Sequence, residues 1–222
     1  MKILIPTDGP QSWQGLLADP EKHWRDGHSA KMLAESWERA QGFPSEVRDL
    51  FAGSPEPALA EATPLIGIPE YQVPLPGGSR PSQNDLFVLA AAGSSLAAIM
   101  IEGKVEEPFG PTVAEWFTEA SRGKQQRFRF LQEKLGLKEP PGGDIRYQLL
   151  HRTASAVIEA QRFRARFAVM IVHSFSSRHA WLDDYQAFLA LFAKEGSIGD
   201  LVLLSRLDGV ELFCGWAAGP AT

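Results

Sequence analysis

Apolar residues gather in short runs that predict the strands of a sheet. Residues 86–89 and 96–101 are apolar and flank the turn Gly93-Ser94-Ser95, which indicates two strands joined by a hairpin. Residues 167–172 form an unbroken apolar run, typical of a strand that is buried on both faces. Residues 64–75 contain several prolines, and proline is confined to edge strands or extended segments. The pattern therefore predicts an edge strand, a hairpin and a central strand.

Apolar residues at helical spacing predict helices around these strands. Residues 29–41 show this spacing, and Ser29 can cap the helix. Further helices are expected within residues 44–61, at 112–118, at 124–135, at 144–164 with Asp144 as the cap, and at 181–194, followed by a terminal hairpin of residues 201–204 and 210–216. This order of elements indicates an α/β (mixed α+β) fold, with helices flanking one mixed sheet.

The bulk composition is that of a soluble globular protein. Of 222 residues, 44% are hydrophobic and 22% are charged, so we expect one domain over residues 1–222. The apolar run at residues 1–6 is broken by proline and is too short for a signal peptide, and no stretch approaches ~20 apolar residues. Cys214 is the single cysteine, so no disulfide forms within the chain. These features predict a cytoplasmic protein that does not enter a membrane.

Charge is unevenly distributed along the chain. The formal net charge is −5, but residues 120–166 contain eleven basic and four acidic residues, so this segment carries +7 and the remainder carries −12. A local basic face suits phosphate contacts whatever the sign of the total charge. The same residues would also form ordinary solvated helix faces, and the sequence leaves both interpretations open.

Three polar residues border the apolar strands of the predicted hairpin. Asp85 precedes the first run, and Glu102 and Lys104 follow the second. Because side chains alternate along a strand, Glu102 and Lys104 point to the same side, and hairpin pairing brings Asp85 beside Glu102. Two carboxylates and one ammonium on a sheet face can hold a divalent metal ion and a phosphodiester. In the alternative interpretation, Asp85 caps a turn while Glu102 and Lys104 form a surface ion pair.

Other candidate sites carry less specific chemistry. His173-Ser174 ends the predicted buried strand, but no glycine pattern of a nucleophile elbow surrounds Ser174. Cys214 lies in an apolar strand, which favours a buried and unreactive thiol. His23 and His28 are more typical of loop histidines near a helix start than of a metal pair.

The element order and the three polar residues together resemble the PD-(D/E)XK nuclease superfamily, whose fold is called restriction-endonuclease-like. The core of that family is a helix, a three-stranded meander, a helix and a further strand. Its signature places an Asp at the start of the second strand and Glu-x-Lys on the third. Asp85 and Glu102-Gly103-Lys104 match these positions, whereas Asn84 stands where the family often has proline. The resemblance implies a core at about residues 29–176 and a C-terminal helix and hairpin extension at 177–222.

The resemblance also implies an activity, the metal-dependent hydrolysis of phosphodiester bonds in nucleic acid. Asp85 and Glu102 would hold Mg²⁺ or Mn²⁺, and Lys104 would orient the attacking water. A supporting acid on the first helix is expected too, and either Glu35 or Glu38 could take that place.

The implied partner is nucleic acid, with DNA favoured over RNA. Arg127, Arg146, Gln148 and Arg152 are the residues expected to hold its backbone. The sequence does not decide whether the protein forms a homodimer. The alternative function is that of a catalytically inactive protein that keeps the fold and serves as a binding or interaction module.

Overall fold

A mixed sheet of six strands forms the centre of the molecule, and the computed structural model describes residues 7–220. The strands are β1 (Thr63–Val73), β2 (Ser82–Ala92), β3 (Ser95–Lys104), β4 (Phe167–Ser174), β5 (Leu201–Leu207) and β6 (Val210–Ala218). Their order across the sheet is β1-β2-β3-β4-β6-β5. β1 to β3 form an antiparallel meander, β4 runs parallel to both β3 and β6, and β5 pairs antiparallel with β6.

Helices cover both faces of this sheet. Within residues 7–220 they are α1 (Gln11–Gln14), α2 (Pro20–His23), α3 (Ser29–Ala40), α4 (Ser45–Ala52), α5 (Pro57–Ala60), α6 (Val113–Phe117), α7 (Arg122–Leu135), α8 (Tyr147–Phe163) and α9 (Leu182–Ala190). The predicted α/β architecture, with helices flanking one mixed sheet and a C-terminal hairpin, is therefore confirmed. The apolar run predicted to be too short for a signal peptide, residues 1–6, lies outside the described residues.

Alternate side chains of the strands pack into two hydrophobic cores, one on each face of the sheet. Val88 and Ile99 share one core with residues of α3 and α4. Phe87 and Met100 share the other core with residues of α8. Every residue of β4 is buried, as expected for a central strand covered on both faces. Strand parity therefore determines which polar side chains face α8.

The register of the β2–β3 hairpin determines which polar residues lie opposite each other at its open end. Leu86 pairs with Ile101, so the next pair outward is Asp85 with Glu102. Both side chains lie on the face of the sheet that α8 covers, and Lys104, two residues after Glu102, lies on the same face. The pairing of two neighbouring strands thus brings together residues that are distant in the chain.

The long helix α8 begins later than the sequence predicts. Asp144 does not cap it, because the backbone before Tyr147 pairs with another segment. The N–H of Val113 donates to the carbonyl of Ile145 at 2.7 Å, and the N–H of Tyr147 donates to the carbonyl of Pro111 at 3.1 Å. These bonds accompany an extended backbone at Arg146, which bridges to Thr112, so the helix starts at Tyr147.

Candidate functional site

A cleft of about 600 Å³ opens at the carboxyl end of β3. The ends of β1, β2 and β3 form its sheet side, the first turns of α8 form one wall, and α2 with the start of α3 forms another. The polar residues that line it from the sheet and α8 are Glu70, Gln83, Asp85, Glu102, Lys104, Gln148 and Arg152. Strand ends of this kind are where α/β proteins commonly bind ligands.

The three residues singled out from the sequence meet in this cleft. Glu102 and Lys104 are buried, with 2% and 3% of their surface exposed. Lys104 Nζ donates a hydrogen bond to Glu102 Oε1 at 2.5 Å, and the backbone N–H of Gly103 donates to Asp85 Oδ2 at 2.9 Å. Glu102 and Lys104 are therefore not a surface ion pair, and Asp85 binds the neighbouring strand instead of capping a turn.

Arg152 reaches the same carboxylates from α8. Its Nε donates to Glu102 Oε2 at 2.6 Å, and its Nη2 lies 3.6 Å from Asp85 Oδ1. The side chain is 8% exposed, so these charges interact in a medium that screens them less than water does. Lys104 and Arg152 together engage both oxygens of Glu102.

Glu70 on β1 supplies a third carboxylate, which the sequence pattern did not predict. Its φ is 51°, a left-handed conformation that is unusual for a residue within a strand. The residues on either side of it pair with β2, which places Glu70 opposite Asp85. Gln83 Nε2 donates to Glu70 Oε2 at 2.5 Å. The available signal was an acidic residue directly after Pro69, in a segment where proline makes strand irregularity common.

The three carboxylates differ in proton affinity because their neighbours differ. Burial, and then the charge of Asp85, raise the pKa of Glu70 to about 8. Burial and the charge of Glu102 raise the pKa of Asp85 to about 7. Burial acts in the same direction on Glu102, but the ion pairs with Arg152 and Lys104 prevail and lower its pKa. Glu102 is therefore ionised at neutral pH, whereas Glu70 and Asp85 repel each other and hold protons more readily.

Glu107 connects the cleft to the start of α3. Its Oε1 accepts a hydrogen bond from the backbone N–H of Ser29 at 3.0 Å, and its Oε2 accepts from the N–H of Val105 at 3.2 Å. A carboxylate at a helix N-terminus satisfies a free N–H and complements the helix dipole. Ser29 was expected to cap this helix, but α3 begins at Ser29 and a residue distant in the chain provides the cap.

Neither acid expected on the first helix lies in the cleft. Glu38 Oε1 accepts hydrogen bonds from the indole N–H of Trp13 and the hydroxyl of Thr7, both at 2.7 Å, in a separate pocket. Glu35 lies 3.8 Å from Lys31 on the same helix. α3 reaches the cleft with its first residues, and both acids come later in the helix. The carboxylate that joins Asp85 and Glu102 from the sheet is that of Glu70.

The residues expected to hold nucleic acid are divided between the cleft and other parts of the molecule. Gln148 and Arg152 line the cleft. Arg127 is buried and donates to three backbone carbonyls of residues 75–78 at 2.9 to 3.2 Å, so its contacts hold a loop of the fold. Arg146 forms an ion pair with an aspartate of α9 at 2.9 Å.

Other basic residues of the 120–166 segment are also paired within the chain. Arg162 lies 3.3 Å from the buried Glu159, and Arg166 lies 2.7 Å from Glu211. Arg129 is exposed on α7. The segment is therefore not one uniform basic face, since several of its charges are offset by acids, from α8 itself and from other elements.

The donor chemistry of the cleft suits a hard divalent cation. Glu70, Asp85 and Glu102 offer carboxylate oxygens, the ligands that Mg²⁺ and Mn²⁺ prefer. In the arrangement described for residues 7–220, no group of three or more His, Cys, Asp or Glu side chains is placed to hold a metal ion. Both oxygens of Glu102 accept hydrogen bonds from cationic side chains, Lys104 and Arg152. The residues of the cleft therefore fit the ion in kind, while both oxygens of Glu102 are engaged within the chain.

His173 and Cys214 have structural surroundings. The indole of Trp37 donates to His173 Nδ1 at 3.2 Å, so the ring proton is on Nε2, which lies 2.7 Å from Glu46 Oε1. Burial lowers the pKa of His173, which keeps the ring neutral. Burial also raises the pKa of the Cys214 thiol to about 12, in agreement with an unreactive side chain.

Comparison with known families places the chain in one of them. A family model described as a domain of unknown function matches residues 6–221. The chain belongs to the DUF6946 family. Neither a search of curated proteins nor a search of solved structures gave a significant match. This family description names no activity, so the function has to be argued from the chemistry of the cleft.

Among the helices within residues 7–220 of the DUF6946 chain, none combines the length and the apolar character needed to span a membrane.

Proposed function

We propose that this DUF6946 protein is a Mg²⁺- or Mn²⁺-dependent nuclease-like protein that hydrolyses phosphodiester bonds of nucleic acid. The observation that carries the proposal is the meeting of Asp85, Glu102 and Lys104 in one cleft at the end of β3. Two carboxylates can hold a divalent ion, and a fixed ammonium beside them can act on a phosphate.

The order of elements around the cleft supports the same proposal. α3 precedes the antiparallel meander β1 to β3, and α8 leads into β4, which runs parallel to β3. This is the core order that the resemblance to PD-(D/E)XK nucleases implies. The restriction-endonuclease-like fold is therefore part of the proposal.

The residues of the cleft divide the chemistry among them. Asp85 and Glu102 would hold the ion, with Glu70 beside them. When bound, the ion lowers the pKa of a coordinated water and offsets negative charge on the phosphate. Lys104 is fixed by Glu102 and by the ring of Phe109, whose centroid is 5.0 Å from Nζ. From this position its ammonium would stabilise the phosphate charge or orient the attacking water.

Arg152 and Gln148 are the groups best placed to bind the substrate backbone. A guanidinium forms paired hydrogen bonds with phosphate oxygens, and Gln148 lies on the same face of α8, four residues earlier. Lys22 lines the cleft from the side of α2. Because contacts to phosphate carry no sequence information, we expect little sequence preference.

Cleavage assays with single- and double-stranded DNA and RNA test the proposal. The wild-type protein is expected to cleave nucleic acid with Mg²⁺ or Mn²⁺ and to stop when EDTA is added. Asp85→Asn removes an ion ligand and Lys104→Met removes the fixed ammonium. Each should lower the cleavage rate by about 10²-fold or more, because these groups stabilise charge in the transition state. Circular dichroism should show that both variants remain folded.

Matched controls separate loss of a site residue from loss of any charge. Asp49→Asn and Lys194→Met remove the same kinds of charge at exposed positions, and both should cleave at the wild-type rate. A wild-type protein that cleaves no substrate with either metal would refute the proposal. So would Asp85→Asn and Lys104→Met variants that cleave as fast as the wild type.

The position of Arg152 favours a second candidate function, a module that binds nucleic acid without cleaving it. Arg152 and Lys104 already neutralise Glu102 without a metal ion. Such a module would bind labelled DNA in a fluorescence anisotropy experiment with EDTA present, and it would leave the DNA intact when metal is added.

A further inference from the structure

Arg152 occupies the space between the two carboxylates that an ion would need. We infer that Arg152 and the divalent ion exclude each other at Asp85 and Glu102, and that phosphate groups of nucleic acid release Arg152. The ion and the nucleic acid would then bind cooperatively, each favouring the other. This inference rests on the proposed function, since it concerns how the same cleft is loaded.

Each of the four carboxylate oxygens of Asp85 and Glu102 lies beside a donor group of the protein. Glu102 Oε1 accepts from Lys104, and Asp85 Oδ2 accepts from the backbone N–H of Gly103. The other two oxygens, Glu102 Oε2 and Asp85 Oδ1, both face Arg152, at 2.6 and 3.6 Å. Asp85 and Glu102 would hold the ion, and the guanidinium of Arg152 now engages the oxygens that they would offer to it.

The charges of the two cations also oppose joint binding. A divalent ion and a guanidinium beside the same carboxylates, of which Glu102 is buried, would repel each other, because screening is weak away from water. Lys104 is already paired with Glu102, so one further cation is enough to offset the remaining negative charge of Asp85 and Glu102, and a second one would add repulsion. Binding of the ion therefore requires the release of Arg152.

The cleft contains groups that would receive the released side chain of Arg152. Arg152 lines the cleft, so its guanidinium has open space beside it. Gln148 lies four residues earlier on the same face of α8, and its Oε1 is buried with no hydrogen-bond partner among residues 7–220. A phosphate of nucleic acid in the cleft would accept two further hydrogen bonds from the guanidinium. Hydrogen bonds from Arg152 to the phosphate would thus replace the hydrogen bonds that Arg152 loses when it leaves the two carboxylates.

Mn²⁺ binding, measured by the electron paramagnetic resonance signal of free Mn²⁺, tests the inference without using activity. Arg152→Gln should bind Mn²⁺ on the order of tenfold more tightly than the wild type, a typical strength of coupling between ligands. The wild type should gain a similar factor when a cleavage-resistant phosphorothioate DNA is present, after correction for Mn²⁺ bound by the DNA alone. Arg152→Gln should gain much less from the DNA.

Two further variants keep the experiment decisive. Arg166→Gln makes the same substitution at a residue paired with Glu56 and Glu211, outside the cleft, and should bind Mn²⁺ like the wild type. Arg152→Lys preserves the charge if Arg152→Gln proves unstable to heat. A single ammonium cannot reach both carboxylates as the guanidinium does, so its Mn²⁺ affinity should fall between the other two.

The outcomes separate this inference from the proposed function. Equal Mn²⁺ affinity in the wild type, Arg152→Gln and Arg152→Lys overturns the competition, even if the wild type cleaves DNA. Tighter binding by Arg152→Gln supports the competition, even if no form of the protein cleaves DNA and the nuclease proposal fails. Absence of Mn²⁺ binding in every variant, with and without DNA, overturns both.

Discussion

Lys104 and Arg152 keep Glu102 ionised, and Glu102 in turn neutralises these two buried cations. Removing one partner of a buried ion pair typically costs about 3–5 kcal/mol, because the remaining charge stays buried without compensation. Lys104 and Arg152 therefore contribute to the stability of the molecule as well as to the chemistry of the cleft. Any loss of activity in their variants has to be compared with a measurement of folding.

The ionisation of Glu70 predicts how stability depends on pH. Its pKa in the folded protein is about 8, above the ordinary value of 4.5. Between these values the folded protein keeps a proton that the unfolded chain releases, so the free energy of unfolding falls as the pH rises through this window. Glu70→Gln stays neutral and avoids this loss. From about pH 5 to about pH 9, its stability relative to the wild type should therefore rise, as measured by urea unfolding.

Glu133→Gln is the control for this experiment, because Glu133 is an exposed side chain on α7. Its stability relative to the wild type should stay constant over the same range. A Glu70→Gln variant whose advantage stays constant, or shrinks as the pH rises, would contradict the buried and repelled state of this carboxylate.

Residue-level prediction succeeded where local rules of strand geometry apply. The positions of Asp85, Glu102 and Lys104 follow from the alternation of side chains and from one hairpin register. Glu70 enters the cleft through a left-handed backbone conformation, which breaks the alternation. No periodic pattern in the sequence contains that information.

At the scale of elements, α3 depends on a cap from outside its own sequence. Glu107 accepts the N–H of Ser29, and its charge lies at the positive end of the helix. Glu107→Ala should lower the free energy of unfolding by about 1 kcal/mol, the usual cost of losing an N-cap. Glu107→Gln should cost less, since the amide oxygen still accepts a hydrogen bond. Urea unfolding of both variants measures the difference.

Glu133→Ala again serves as the reference for the cap, because alanine and glutamate are both good helix formers. Its stability should change by less than about 0.5 kcal/mol. A Glu107→Ala variant as stable as Glu133→Ala would mean that water replaces the carboxylate at the start of α3 without cost.

Helix boundaries show where prediction from the sequence ends. α6 starts after Thr112, whose side chain and the side chain of Glu115 form a capping box from residues close together in the chain. The starts of α3 and α8 depend on partners distant in the chain, Glu107 in one case and the backbone of residues 111–113 in the other. Local signals at Ser29 and Asp144 carry no information about these partners.

At the scale of the whole molecule, the arrangement of charge is the least predictable property. The +7 segment was compatible with a continuous basic face, but the fold brings acids from other elements to several of its members. Arg152 makes the difference clear, because the sequence suggested a contact to phosphate and gave no sign of the two carboxylates of the sheet that its side chain engages. Counting charged residues in the sequence gives the total charge of a segment, but it does not show which residues pair with each other.

The two hydrophobic cores share one sheet, so we expect them to unfold together. Met170 and Ile171 are neighbours on β4 and point into opposite cores. Met170→Ala and Ile171→Ala should each lower the free energy of unfolding by about 2–5 kcal/mol. Circular dichroism and tryptophan fluorescence should give coincident urea curves for both variants.

Leu65→Ala is the control, because Leu65 is at an exposed position of β1, and it should change the free energy of unfolding little. If one variant shifts only one of the two probes, the cores unfold separately and residues 1–222 are not one cooperative domain.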